Sequence, residues 1–386
     1  RMHAFANNNM SNALSTSPLR VLTIDYGMQI DYTKLVGEGA YGKVFRGWTT
    51  TGQACVVKVS KETCLLQRER KIIEMLNHGY DVRGTLRDAA RSEALEVVLA
   101  KHTDRIDALE FVSADLMNED SWVEAAHGCD SVLHVASPVP VVPPEDENDV
   151  IIPAKTGTLN VLKAATANGI KRVVITSSVA AVMSGSRDSG TFTEQDWTDL
   201  TCADLSPYVK SKTVAERAAW DYARANDLEL VSVNPALVLG PALESDYGSS
   251  LEALYLLMTG AYPILPKLGF EIVDVRDVAV LHRLALERPE AAGQRYMCAN
   301  GFRWFVDIAK TVKGQHPELK VPTSQMPNWI ASIAGIFLKE IKQFLPDLGR
   351  IKKIDNTPAL AIGWQPRDAE TAIRDGARSL VDLKIV

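Results

Sequence analysis

No apolar run in this chain approaches the ~20 residues a membrane-crossing helix needs, the longest being Trp329 to Leu338. The opening RMHAFANNNMSNALSTSP has no apolar centre of the kind a secretory leader carries. Cysteine is scarce: the five residues Cys55, Cys64, Cys129, Cys202 and Cys298 form no CxxC pair and are odd in number, which argues against a zinc site or a disulfide framework. Basic charge is also short, with a net charge of -6 and a pI near 5.7, so neither nucleic acid nor an anionic membrane is the expected partner. There is no internal repeat and no low-complexity block. These absences leave a soluble, cytoplasmic, globular protein with reduced thiols as the expectation.

With 386 residues the chain can bury a large core. Its charge is distributed unevenly. Residues 1–78 carry ten Lys/Arg against six Asp/Glu, whereas residues 79–386 carry 32 against 42. Residues 1–19 are rich in Asn, Ser and Ala without periodicity, the pattern of a disordered tail. From Tyr32 to Val59 the runs TKLV, KVFRGW and ACVVKVS predict an antiparallel meander. Residues 63–77 place Leu65, Leu66, Ile72, Ile73, Met75 and Leu76 at helical spacing and predict an amphipathic helix that stops at His78–Gly79.

After Gly79 strands and helices alternate, which predicts an α/β, Rossmann-like, doubly wound parallel sheet. Its strands begin with DVRGTLRD, FVSADL and SVLHVAS and continue with RVVITSS and LELVSVNPALVLGP, and a smaller C-terminal region, about 240–386, is expected to cover the substrate.

The chemical signal lies at Tyr208-Val-Lys-Ser-Lys212, thirty residues after Ser178. A spacing of four puts Tyr208 and Lys212 on one helical face, one turn apart. Carbonyl reduction needs a proton delivered to oxygen as hydride reaches carbon, and a free phenol with a pKa of ~10 delivers it slowly. A nearby ammonium stabilises the phenolate, and a serine hydroxyl can hold the carbonyl oxygen.

GYDVRGTLRD, SADL, LHVASPV, KRVVITSS, YVKSK followed by AERAAW, NPALVLGP, VDVRDVA and AIGWQPRD follow one another in order over about 300 residues. Together they resemble the dihydroflavonol reductase and cinnamoyl-CoA reductase group of extended short-chain dehydrogenases/reductases. The resemblance implies Ser178, Tyr208 and Lys212 as the catalytic set, with Tyr208 and Lys212 also contacting the cofactor. It further implies Asp115 and Leu116 at the adenine, Ala136 near the ribose, and Pro235 and Val238 around the nicotinamide. Arg87, with Arg83 or Arg91 beside it, sits where an arginine suits a ribose 2'-phosphate, which points to NADP(H). The expected partner is a small-molecule carbonyl compound. Epimerase or dehydratase chemistry is the alternative on the same scaffold. The resemblance includes a tendency to form homodimers, which leaves the oligomeric state open.

One part of that pattern is missing. Such reductases open with a strand, a TGxxGxxG turn and a helix, where glycines let backbone N–H groups approach a pyrophosphate. Here residues 32–77 instead resemble the start of a serine/threonine kinase N-terminal lobe. They carry GEGAYGKV with Gly37, Gly39 and Gly42, Lys58 within ACVVKVS, and Glu69 in the following helix. No HRDxxxxN or DFG follows, which argues against phosphoryl transfer. The expectation is a chimeric chain in which residues 20–78 replace the reductase opening. Arg20–Ile24 is then the candidate for the lost first strand and residues 63–77 for the lost first helix, with cofactor binding weakened. A non-catalytic fused protein is the alternative outside the enzyme class.

Overall fold

The computed structural model describes residues 21–24, 28–39, 42–48, 54–59, 65–137, 144, 146–185, 188–245, 247–331 and 345–386, with side chains from Glu69 onward except at 248 and 249. Two compact units meet at residue 60. The expected tail, 1–19, lies outside the described residues.

The first unit is an antiparallel meander of β1 (Val21–Ile24), β2 (Met28–Gly39), β3 (Gly42–Trp48) and β4 (Ala54–Val59), hydrogen-bonded in that order. Gly39 pairs with Gly42, so the glycine-rich run closes a hairpin between two strands. That geometry differs from a dinucleotide turn, which opens a helix at once. Val21–Ile24 does not supply a strand to the parallel sheet as anticipated. It pairs antiparallel with β2, Val21 opposite Asp31 and Ile24 opposite Met28. Only three residues separate β1 from β2 in the sequence, and pairing near neighbours costs less chain entropy than pairing distant segments. Lys58 belongs to the first unit and Glu69 to the second, where Glu69 is buried; the Lys58 side chain lies outside the described residues.

The second unit opens with α1 (Leu65–Asn77), close to the predicted span. His78, Gly79 and Tyr80 donate their N–H groups back to Met75, Leu76 and Met75 carbonyls, with Gly79 at φ +91. This left-handed glycine cap ends the helix where the sequence predicts. Ile72, Ile73 and Leu76 pack with Leu99 against Val82, Leu109 and Phe111. Leu76 is fully buried, so Leu76→Ala is expected to lower stability by ~2–5 kcal/mol. Urea denaturation checks this; an unchanged midpoint would show that α1 is not docked.

Strand–helix alternation then follows as expected: β5 (Val82–Leu86), α2 (Ser92–Leu99), β6 (Leu109–Ser113), α3 (Glu119–Ala126), β7 (Ser131–His134), α4 (Asn148–Ala167), β8 (Arg172–Thr176), β9 (Gly190–Phe192), α5 (Pro207–Ala225) and β10 (Glu229–Pro235). The C-terminal part adds β11 (Leu237–Leu239), α6 (Gly248–Met258), β12 (Gly269–Asp274), α7 (Val275–Glu287), β13 (Arg295–Cys298), β14 (Phe302–Trp304), α8 (Phe305–Gln315), β15 (Lys352–Ile354), α9 (Thr357–Ala361) and α10 (Ala369–Asp382).

The parallel strands expected to form one sheet, β5 to β8 with β10 and β13, fall into two, while β11–β12 and β9–β15 pair in parallel elsewhere. Strands β13-β10-β8-β7 make one and β5-β6 the other. In a doubly wound fold the first strand lies between the second and fourth. Among the described residues no strand bridges β5 and β7, because the chain spends the corresponding stretch on the meander. Burial registers this break: Val173 to Ile175 of β8 are buried, whereas Val132 and Leu133 of β7 are half-buried.

Side chains alternate to opposite faces of the larger sheet. Val173, Ile175 and Leu230 face α3, α4 and α5, while Val174, Val231 and Val233 face the core that includes α7; α7 also packs against α1. The C-terminal region is not cut off cleanly at residue 240. Its Trp364, Leu251 and Leu254 share one core with Val174, Val231 and Val233 of the sheet, and its β13 returns to pair with β10.

Candidate active site

Helix α5 begins at a defined point. Ser206 caps it by accepting the Val209 N–H at 3.3 Å, and Pro207 occupies the first turn. This start puts Tyr208 in the first turn and Lys212 one turn later. The Lys212 ammonium lies 5.9 Å from the Tyr208 ring centroid. Lys212 is buried and Tyr208 half-buried, so a protected charge stands beside a phenol that solutes can reach.

Strand β8 ends at Thr176 and the chain turns at Ser177–Ser178. Ser178 is extended and caps a 3-10 turn, its Oγ accepting the Ala180 N–H at 3.1 Å. Its own hydroxyl proton is therefore left to donate. Ser177 Oγ donates to Glu216 Oε2 at 2.5 Å. A cavity of about 20 Å³ is lined by His134, Ala136, Ile175, Ser177, Lys212 and Glu216, so the strand ends and α5 meet at one place.

The remaining expected residues distribute as follows. Arg87 is exposed just past β5, Asp115 and Leu116 follow β6, Ala136 follows β7 and is exposed, and Pro235 is the buried last residue of β10. Each stands at the carboxyl end of a parallel strand, where doubly wound folds bind ligands. Leu116 packs on α4 at Gly157, where an added Cβ would come within 2.8 Å of it, and Asp115 accepts the Met117 N–H at 2.7 Å. Val238 is elsewhere, within the apolar C-terminal core. Arg83 is a correction. It donates to Glu110 and to the carbonyls of Ala125 and His127, because in mid-strand its side chain follows the sheet face toward α3. Arg91 lies 3.8 Å from Glu244, and Arg87 stands exposed just past β5.

Several buried polar groups escaped the sequence reading. His134 is pushed down to about 4, first by burial and second by the Lys212 charge. His282 is also lowered, by burial and then by Lys71. Its Nδ1 lies 2.8 Å from the Val278 carbonyl and so carries the proton, which leaves Nε2 to accept from Thr176 at 2.7 Å, while Lys71 donates to Thr176 at 3.1 Å. The spacing of Tyr208, Lys212 and Glu216 was a usable signal for Glu216, since all three share one helical stripe.

Both imidazoles are neutral when folded and gain a proton on unfolding below pH 6.5. The unfolded chain then binds more protons, so stability falls as pH drops from about 6.5 toward 4, by ~3 kcal/mol for His134 alone. Urea midpoints measured across that window are expected to decline, and to decline less in His134→Gln. A flat profile in the unmodified chain would contradict the neutral assignment.

The profile of the NAD dependent epimerase/dehydratase family matches residues 71–299, beginning within α1. Cinnamoyl-CoA reductase 1 of Petunia hybrida is 37% identical over 256 residues, covering 64% of this chain and 74% of that protein. An anthocyanidin reductase of Vitis vinifera is 36% identical over 265 residues, with 64% and 78% covered. Among solved structures, yeast methylglyoxal/isovaleraldehyde reductase Gre2 complexed with NADPH superimposes with a TM-score of 0.70 at 24% identity, covering 83% of this chain and 96% of that one. Vestitone reductase from alfalfa gives 0.66 at 23%, with 82% and 95% covered. These two likenesses establish the α/β fold. The extent of the profile match and the identity to the plant reductases place the chain in the NAD dependent epimerase/dehydratase family.

Proposed function

We propose that this chain is an NADPH-dependent reductase of a small aldehyde, ketone or related carbonyl compound. One observation carries the reading: Lys212 is buried beside Tyr208 on one face of α5, next to the Ser177–Ser178 turn at the carboxyl end of β8. The reductase names of the plant relatives and the NADPH complex of the yeast neighbour support it.

The residues present fit a nicotinamide cofactor at one end. Arg87 stands exposed past β5, where it can meet a 2'-phosphate, and the polar lining around Lys212 suits a ribose hydroxyl. At the pyrophosphate the fit is poorer, because no glycine occurs between Gly52 and Gly79 to let backbone approach it. When bound, the nicotinamide supplies the hydride. Tyr208 gives its phenolic proton to the carbonyl oxygen, and the Lys212 ammonium stabilises the phenolate left behind. The Ser178 hydroxyl holds the same oxygen and shares the charge that develops on it. We assign the enzyme to the cytoplasm, a reading supported by the free thiols Cys129, Cys202 and Cys298.

The test is carbonyl-dependent NADPH oxidation by the purified chain, offered aldehydes, ketones and coenzyme A thioesters in turn. The reading expects consumption that needs both the carbonyl compound and the protein. No consumption with any of them, at NADPH concentrations that saturate the protein, would overturn it.

A further inference from the structure

We propose that Glu216 is a positioning residue for the reaction: it fastens the Ser177–Ser178 turn to the helix that carries Tyr208 and Lys212. This rests on the reductase reading above and adds a group that does not itself touch the reacting atoms.

Glu216 is buried, one turn beyond Lys212 on the same stripe of α5. Its two oxygens collect donors from three successive strands of the sheet. Oε2 accepts from Ser177 Oγ at 2.5 Å, just past β8, and from Asn234 Nδ2 at 2.8 Å in β10. Oε1 accepts from Arg295 Nε at 2.7 Å in β13 and from Trp220 Nε1 at 3.3 Å. Ser232 Oγ is 2.9 Å from Oε1 and 2.7 Å from Asn234 Oδ1, so its single proton serves one of them at a time. The amide of Asn234 also donates to the Ser178 carbonyl at 3.2 Å. Glu216 therefore grips the turn twice, directly at Ser177 and through Asn234 at Ser178.

Arg295 extends the brace outward. Its Nη1 donates to the carbonyls of Glu194 and Asp196 at 2.6 and 2.8 Å, and its guanidinium stacks 3.7 Å over the Trp197 ring. A buried ion pair is a weak source of stability, since desolvation of both charges offsets most of their attraction. What this arrangement supplies instead is geometry. A serine on a strand end and a tyrosine on a helix can act on one oxygen only if strand and helix keep their spacing, and a misplacement of about 1 Å can cost ~100-fold in rate.

The test compares Glu216→Gln with Arg172→Met. The second substitution removes the Arg172–Glu229 pair and the Arg172 bonds to the Ala285, Leu286 and Arg288 carbonyls at the opposite, amino end of β8, and so serves as a structural control at the far end of the same strand. Glu216→Gln is expected to lower kcat by ~100-fold and to speed amide exchange at Ala180, whose N–H donates to Ser178 Oγ. Arg172→Met is expected to change neither. Ser177→Ala should lower kcat in the same direction and add nothing to Glu216→Gln in the double variant; it also stands in if Glu216→Gln does not fold. Equal kcat in Glu216→Gln and Arg172→Met, or unaltered exchange at Ala180, would overturn the proposal. If the unmodified chain oxidises no NADPH the reductase reading fails, and the exchange comparison alone still decides whether Glu216 holds the turn.

Discussion

Replacing Tyr208 with phenylalanine is expected to lower carbonyl-dependent NADPH oxidation by about a thousandfold, with a far smaller loss of NADPH affinity. The substitution removes one oxygen and keeps the ring, so the 5.9 Å approach of the Lys212 ammonium to the ring survives. The Ser206 cap that starts α5 survives as well, because it bonds the Val209 backbone. Only the proton source is lost, and a reduced carbonyl without a proton donor leaves its oxygen as an alkoxide. Lys212→Met should behave differently. It strips the charge that stabilises the phenolate and also a group placed to meet the ribose, so both rate and affinity should fall. Steady-state kinetics paired with a fluorescence titration of NADPH separates the two patterns. A Tyr208→Phe protein with full activity would falsify the assignment of the proton donor.

The second large effect concerns the opening of the chain. Replacing residues 20–64 with a strand and a TGxxGxxG turn leading into α1 is expected to tighten NADPH binding by ~100-fold or more. A pyrophosphate held by backbone N–H groups at a helix start gains charge-assisted hydrogen bonds worth ~1.5–3 kcal/mol each, and two such bonds suffice for that factor. The same graft would place a strand between β5 and β7, which belong to separate sheets here, and should raise the unfolding temperature by pairing exposed edges. Titration of the parent and grafted chains checks both effects. Equal affinities would mean that the present chain already holds the pyrophosphate by other groups.

The parts of this molecule that were legible in its sequence are those set by neighbours a few residues away. The helical face joining Tyr208 to Lys212, the glycine stop at Gly79 and the strand preceding Ser177–Ser178 each follow from short-range periodicity and capping. Partner choice is a different matter. Val21–Ile24 has the β-branched character of a strand, but propensity does not say which strand it joins, and the nearest one captured it. Arg83 lies within β5, four residues before Arg87, and only the fold reveals that it reaches α3. The partners of Glu216, unlike its place on the helical stripe, were illegible for the same reason: Ser177, Asn234 and Arg295 approach it from distant points in the chain. The family resemblance pointed to the expected catalytic set, whereas the kinase-like pattern of residues 32–77 rests on the sequence alone.

The claim on which the account turns is that Tyr208, Lys212 and Ser178 serve a net hydride transfer to a carbonyl carbon. NADPH carrying deuterium at its transferable position, turned over with an aldehyde or ketone that the protein accepts, tests this directly when the organic product is read by mass spectrometry. The account predicts one deuterium on the carbinol carbon of the alcohol and a stoichiometric amount of oxidised cofactor. Product that is isomerised or dehydrated, with the deuterium still on the cofactor, would contradict it and assign the site to epimerase or dehydratase chemistry.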